Sequence, residues 1–283
     1  MSFSELMPNL KLVPMENIRF HEQPEGNRTE RLLGRIKSDA FLRNPPIVGD
    51  MEDGNFLLLD GANRVSVFKA LEYSHIPVQV VEYGDPRVQL KGWHHLLVDG
   101  ATLDLKSAYQ NIDGVNVQKI DNSSISRYLE LREVYAIFVD DKTECWALLP
   151  NTASDIQNIH HRIRVLDQVV AGYEGQSKLE RIKLANFDQL PEVIRSVKHQ
   201  LCLFPVITKN ELLQLARDNC LIPTGLSRHL IPGRALGLNI DLSFLFDLKT
   251  EKEKLDYFER HIARIELEGR VRFYEESVFI MNE

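Results

Sequence analysis

The 283-residue chain is long enough to bury a full core in one large or two modest domains. No apolar run approaches the roughly 18 residues of a membrane span, and Met1-Ser2-Phe3-Ser4-Glu5 lacks a signal peptide's basic-then-apolar pattern, so a cytoplasmic protein without membrane partners is expected. A net charge of -7 disfavours non-specific binding to a polyanion, and three widely spaced cysteines, Cys145, Cys202 and Cys220, suggest buried small hydrophobes rather than a disulfide framework or a zinc site.

Leu10-Lys11-Leu12-Val13-Pro14 alternates like a short strand that stops at proline. Ile18-Arg19-Phe20-His21-Glu22 follows, and then a turn cluster at Gln23-Pro24-Glu25-Gly26. Residues 29–37 place Leu32, Leu33 and Ile36 on one face of a helix. The arginines opposite are interleaved with Glu22, Glu25 and Glu30, as in a polar rim rather than a nucleic-acid groove. Strands are expected over 45–49 and 56–59, joined by a turn at Asp53-Gly54.

The stretch from Leu57 to Leu71 then reads as strand, tight turn and helix, because the apolar run ends at Asp60-Gly61 and Val65, Val67, Phe68 and Leu71 recur at helical spacing. A glycine there lets backbone approach a ligand, and the first amides of a helix form an anion site for which phosphate is the natural occupant. Asp60 is placed to hold a cation or to position a hydroxyl, and Arg64 to neutralise phosphoryl charge. Residues 76–81 return as a strand, which completes a compact α/β unit over residues 1–85.

After Tyr83-Gly84-Asp85-Pro86 the pattern loosens, which puts a boundary there and leaves 86–283 as a second, mixed α/β domain. Adjacent histidines at His94-His95 and His160-His161 point different ways and do not make metal sites. Residues 100–130 read as a polar surface excursion, 134–139 and 145–149 as a hairpin, 156–173 and 189–200 as helical, 251–268 as a charged amphipathic helix and 271–281 as a closing strand. The run from Ile222 to Arg234 gathers hydroxyls, arginines and a histidine between prolines and glycines, so it reads as a loop of donors facing an anion. Residues 210–217 followed by 226–230 also mimic helix-turn-helix DNA binding, although Pro232-Gly233 cuts the second helix short.

Asp60-Gly61-x-x-Arg64 between strand and helix resembles the signature box of the ParB/sulfiredoxin-like fold. Leu10-Lys11-Leu12-Val13-Pro14, His21-Glu22, Phe41-Leu42-Arg43-Asn44-Pro45 and Pro77-Val78-Gln79 stand around it in the order seen in the free L-serine kinases of the archaeal and staphyloferrin B-cluster type. That resemblance implies an α/β nucleotide-binding domain and an enzyme that converts L-serine to O-phospho-L-serine with ADP or ATP and Mg2+. It implies Glu22 as catalytic base, Asp60 as catalytic and Mg2+-orienting residue, Gly61, Ala62, Asn63 and Arg64 at the nucleotide phosphates, and Trp93, Thr224, Ser227, Arg228 and His229 around serine. Where the family usually has histidine, this chain has Asn63, which can donate a hydrogen bond to phosphate but carries no charge. Sulfiredoxin chemistry is excluded, because the box holds no cysteine. The alternatives are a ParB-like, nucleotide-responsive DNA-binding regulator and a nucleotide-binding module without catalysis; a homodimer is compatible with either reading.

Overall fold

The computed structural model describes residues 7–23, 33–34, 36, 40–98, 103–184, 187, 190, 193, 199–248 and 250–273. In chain order the strands are β1 (Leu10–Pro14), β2 (Ile18–Arg19), β3 (Phe41–Leu42), β4 (Ile47–Asp50), β5 (Phe56–Asp60), β6 (His75–Val81), β7 (Gln89–Gly92), β8 (His94–Val98), β9 (Val115–Ile120), β10 (Ala136–Val139), β11 (Cys145–Pro150), β12 (Lys178–Ile182), β13 (Gln200–Leu203), β14 (Ser227–Leu230) and β15 (Ile240–Asp241). The α-helices are α1 (Ala62–Ala70), α2 (Leu105–Gln110), α3 (Ile125–Glu130), α4 (Ala153–Gln157), α5 (Ile159–Ala171), α6 (Lys209–Arg217), α7 (Phe244–Asp247) and α8 (Glu251–Leu267). They fall into two compact units, one of Met1–Phe20, Pro24–Gln89 and Leu230–Glu283, the other of His21–Gln23 and Leu90–His229.

The first unit is built on a mixed five-stranded sheet in the order β1-β6-β4-β5-β2. β1 and β5 run antiparallel to their neighbours β6 and β4, whereas β4 with β6 and β2 with β5 are parallel pairs. Val48, Leu58, Ile76, Val78 and Val80 of the sheet share a core with Val65, Val67 and Phe68 of α1. The chain leaves this unit after Gln89 and re-enters it at Leu230, where β15 pairs with β3 and Leu238, Ile240, Leu242, Phe244 and Phe258 join the same core. Helix α8 begins at a capping box between Thr250 and Glu253, which satisfies its first amides.

The second unit carries a six-stranded antiparallel sheet in the order β12-β8-β13-β10-β11-β9. Both faces are covered, which is why β10 and β13 are buried at every position. Leu201 and Leu203 share one core with Ile125, Ile137 and Val139. Alternate side chains meet the other layer, where the Tyr109 hydroxyl reaches the Val169 carbonyl of α5 at 3.3 Å and Cys202 at 3.6 Å.

Several expectations change. Residues 105–130 are not a surface excursion: two short helices and edge strand β9 occupy them, and Leu105, Tyr109 and Ile125 are anchored in the interior. Residues 227–230 form a strand, not the second helix of a DNA-binding motif. The helix expected over 29–37 is described only at Leu33, Gly34 and Ile36, which are helical. Most of the one expected over 189–200 lies outside the described residues, and Gln200 opens β13. Residues 271–273 are not strand, and the rest of 271–281 lies outside the described residues. Cys145 and Cys202 are buried free thiols, Cys220 is partly covered, and no helix is long and apolar enough to cross a membrane among the described residues.

Candidate functional site

In the first unit, β5 delivers Asp60 to the turn that starts α1. Gly61 has φ 100°, a conformation that favours glycine, and a Cβ there would stand a tight 3.0 Å from the Arg64 guanidinium and from the Pro46 Cβ, so that these neighbours would have to give way. The first helical hydrogen bond runs from the Val65 N–H to the Gly61 carbonyl at 3.0 Å. The amides of Ala62, Asn63 and Arg64 therefore precede the ladder at the positive end of the helix dipole.

Arg64 folds back over the turn and donates to the carbonyls of Asn44 (2.8 Å) and Pro45 (3.1 Å) and to Asp60 Oδ2 (3.0 Å). Arg234 donates to the same carboxylate oxygen at 3.0 Å. Two guanidinium groups against one carboxylate leave a net positive corner at a helix N-terminus, the arrangement that attracts phosphate. The Arg234 loop is fixed by Gln79, whose side-chain amide donates to the Gly233 carbonyl (2.9 Å) and whose carbonyl accepts from the Ala235 N–H (2.8 Å). Gln79 is the polar member of an apolar strand, and that mismatch was the legible signal for this brace.

In the second unit, Glu22 sits in a short parallel bridge with Ile222, secured by the Ile222 N–H to the His21 carbonyl (2.8 Å) and the Gln23 N–H to the Ile222 carbonyl (3.2 Å). Its side chain is only 19% exposed. One oxygen accepts from the Gly225 N–H and the other from the Ser227 hydroxyl, each at 2.6 Å. His21 Nε2 lies 2.9 Å from the Ser227 oxygen, which is free to accept because its own proton points at Glu22.

Because residues 227–230 are extended, their side chains alternate, and the donors expected to face one anion together are divided between two sides. Ser227 and His229 lie toward His21, whose ring meets that of His229 edge-on at 5.3 Å. Arg228 lies over the Trp93 ring, with its guanidinium carbon 4.7 Å from the centroid, and Lys183 Nζ stands 5.4 Å from the same ring. Arg228 Nη1 is buried with no partner among the described residues, a guanidinium edge suited to a ligand carboxylate or phosphate. Thr224 turns away and donates to the Gln23 carbonyl at 2.7 Å. Sequence reasoning placed Arg234 in the donor loop facing an anion but gave it no role of its own, and it did not single out His21, Gln79 or Lys183 as site residues.

Among the described residues no group of three His, Cys, Asp or Glu side chains could hold a metal ion. His94 accepts from the Phe204 N–H at 3.2 Å, and burial pushes its pKa down to about 4. His160 pairs with Asp218 at 3.0 Å.

No family model matches the chain. A curated relative, the ATP-dependent L-serine kinase SbnI of Staphylococcus aureus (strain NCTC 8325 / PS 47), is 24% identical over 275 residues, which are 97% of this chain and 98% of the relative. The solved structure of SbnI with C-terminal truncation from Staphylococcus aureus superposes with a TM-score of 0.73 at 25% identity, covering 90% of this chain and 96% of that one. A free serine kinase in complex with AMP superposes with a TM-score of 0.67 at 17% identity, over 84% and 94% of the two chains. The chain has the mixed α/β fold of SbnI and of the free serine kinases.

Proposed function

We propose that the protein is a phosphotransferase that converts free L-serine to O-phospho-L-serine with ATP or ADP as donor, its first unit being a ParB/sulfiredoxin-like nucleotide-binding domain and its second supplying the serine pocket. The observation that carries this reading is the Glu22 carboxylate, sheltered from solvent and already accepting a hydroxyl proton bond from Ser227. A carboxylate so placed is chemically fit to take the proton of a substrate hydroxyl as that oxygen attacks phosphorus. Likeness to an ATP-dependent L-serine kinase over 97% of this chain supports the same assignment.

Phosphoryl transfer depends on positioning and charge neutralisation rather than on a nucleophilic side chain of the protein. Gly61 and the amides of Ala62, Asn63 and Arg64 hold the nucleotide phosphates. Arg64 and Arg234 set the positive charge that the phosphates meet, and Asp60 fixes both guanidinium groups. Asp60 would hold Mg2+ through its carboxylate, and the ion would supply neutralisation of phosphoryl charge. On the serine side, Arg228 offers its unpartnered nitrogen to the amino acid's carboxylate against the Trp93 wall, Ser227 hands its place on Glu22 to the substrate hydroxyl, and Thr224 and His229 fix the strand and loop that carry them.

Mass spectrometry of the protein incubated with Mg2+ and L-serine, D-serine, L-threonine or a serine peptide, once with ATP and once with ADP, tests the reading. One phosphoryl group added to L-serine alone is expected, with ADP or AMP released according to the donor. Nucleotide binding without phosphorylation of any of them would leave a nucleotide-binding module, and a salt-dependent, sequence-selective shift of duplex DNA would return the ParB-like regulator.

A further inference from the structure

Behind Glu22 lies a chain of buried polar groups confined to the second unit. His95, on β8, is fully buried, with the rings of Tyr173 and Phe204 edge-on at 5.8 and 5.1 Å. Its Nε2 lies 2.8 Å from the Gly225 carbonyl and its Nδ1 2.6 Å from the Tyr173 hydroxyl. A carbonyl can only accept, so the ring proton is on Nε2, and Nδ1 must accept from the Tyr173 O–H. Burial pushes the His95 pKa down to about 4, which keeps the ring neutral and this tautomer in place at neutral pH.

Gly225 connects this chain to the carboxylate. Its carbonyl is held by His95, and its N–H, on the other side of the same Cα, donates to Glu22. At φ 83° it adopts a conformation that only glycine takes readily, and a Cβ would lie 2.2 Å from Arg181 Nε. The neighbouring Leu226 carbonyl is tied to the Trp93 N–H at 3.1 Å, so two successive peptide groups of this segment are pinned to the strip 93–95.

We propose that His95 and Tyr173 are positioning residues that aim the Glu22 carboxylate through the backbone of Gly225, without touching substrate. This rests on the kinase reading for its consequence in turnover, although the hydrogen-bond relay itself does not. Removing the His95 side chain leaves a buried carbonyl unsatisfied and frees Gly225 to rotate, so Glu22 loses its fixed donor and its aim.

Two readouts test this, on the full chain. In His95→Ala the kcat for O-phosphoserine formation falls about tenfold or more while the nucleotide KM stays within about twofold. In His95→Gln, whose amide nitrogen can replace Nε2 as donor to Gly225, kcat recovers to within about threefold of the parent. Independently of activity, proton–nitrogen NMR of glycine-labelled protein follows the Gly225 amide, identified by its response to Glu22→Gln. Its proton resonance moves upfield in His95→Ala as the bond to Glu22 weakens, and stays in place in His95→Gln. Should His95→Ala fail to fold, Tyr173→Phe, which removes only the O–H, gives the same direction of shift with about a threefold loss of kcat. An unmoved Gly225 resonance in the folded variants, or equal damage from alanine and glutamine, would overturn the proposal. If the parent protein phosphorylates no serine, the kinase reading falls while the amide resonance still decides the relay.

Discussion

The Asp60 corner of the first unit and the Glu22 cluster of the second solve different electrostatic problems. At the first, charges are partly open to water: Asp60 and Arg234 side chains are each 38% exposed, and two guanidinium groups share one carboxylate oxygen with a positive surplus. That surplus attracts an anionic ligand but contributes little to folding, because exposed ion pairs are worth under about 1 kcal/mol. At the second, a single carboxylate is sheltered and held by neutral donors, Gly225 N–H and Ser227 O–H, with His95 and Tyr173 behind them. Neutral donors keep a carboxylate in place without cancelling its charge, and the base role proposed for Glu22 calls for such an aimed anion.

Substitutions that disturb one corner and spare the other sharpen this contrast. The largest effect is expected from Glu22→Gln, whose one carbonyl oxygen can still accept from the Gly225 N–H but which removes the proposed proton acceptor: turnover falls about a thousandfold, and nucleotide affinity measured by calorimetry is unchanged. Arg64→Ala does the reverse, weakening nucleotide binding by about fiftyfold, since it removes a cation and also the brace between the box and the Asn44 and Pro45 carbonyls. Gly225→Ala combines a left-handed backbone with a collision against Arg181 and lowers unfolding free energy by about 2 kcal/mol in denaturant titrations.

The smallest effect lies away from both corners, at Glu211. Burial raises the pKa of its carboxyl, but the Arg132 and Arg162 guanidinium groups and the Thr208 amide outweigh it and bring the value down to about 2. The folded value lies below the ordinary one, so this group stabilises the fold above about pH 4.5 and the contribution is lost as pH falls toward 2. Glu211→Gln costs about 1.5 kcal/mol at neutral pH, and the difference from the parent in thermal melts narrows across that acid range.

The Asp60 corner was largely legible in the sequence because its parts are local: strand, Asp-Gly turn and helix lie within fifteen residues, and backbone chemistry dictates their arrangement. Arg234 was read as one donor of an anion-facing loop, but its meeting with Asp60 was not legible, since nothing near it in sequence shows that Gln79 fixes its loop. The relay behind Glu22 was not legible at all. His95, Tyr173 and Gly225 are far apart in the chain, and the bonds joining them depend on tertiary packing. The alternation in Ser227-Arg228-His229-Leu230 was available, but prolines and glycines on either side favoured a loop; pairing of β14 with β7 made it a strand and sent Arg228 to Trp93 and its neighbours to His21. The return of residues 230–258 to the first core likewise rests on burial of Leu238, Ile240 and Phe258 rather than on a local signal.

The most direct measurement is phosphorus NMR of the purified protein with Mg2+, L-serine and ATP, recorded in parallel for Glu22→Gln. The account predicts a growing O-phosphoserine resonance for the parent and none over the same interval for Glu22→Gln, with nucleotide bound by both. An O-phosphoserine signal of equal rate in the two proteins, or none from a parent that binds nucleotide, would contradict it.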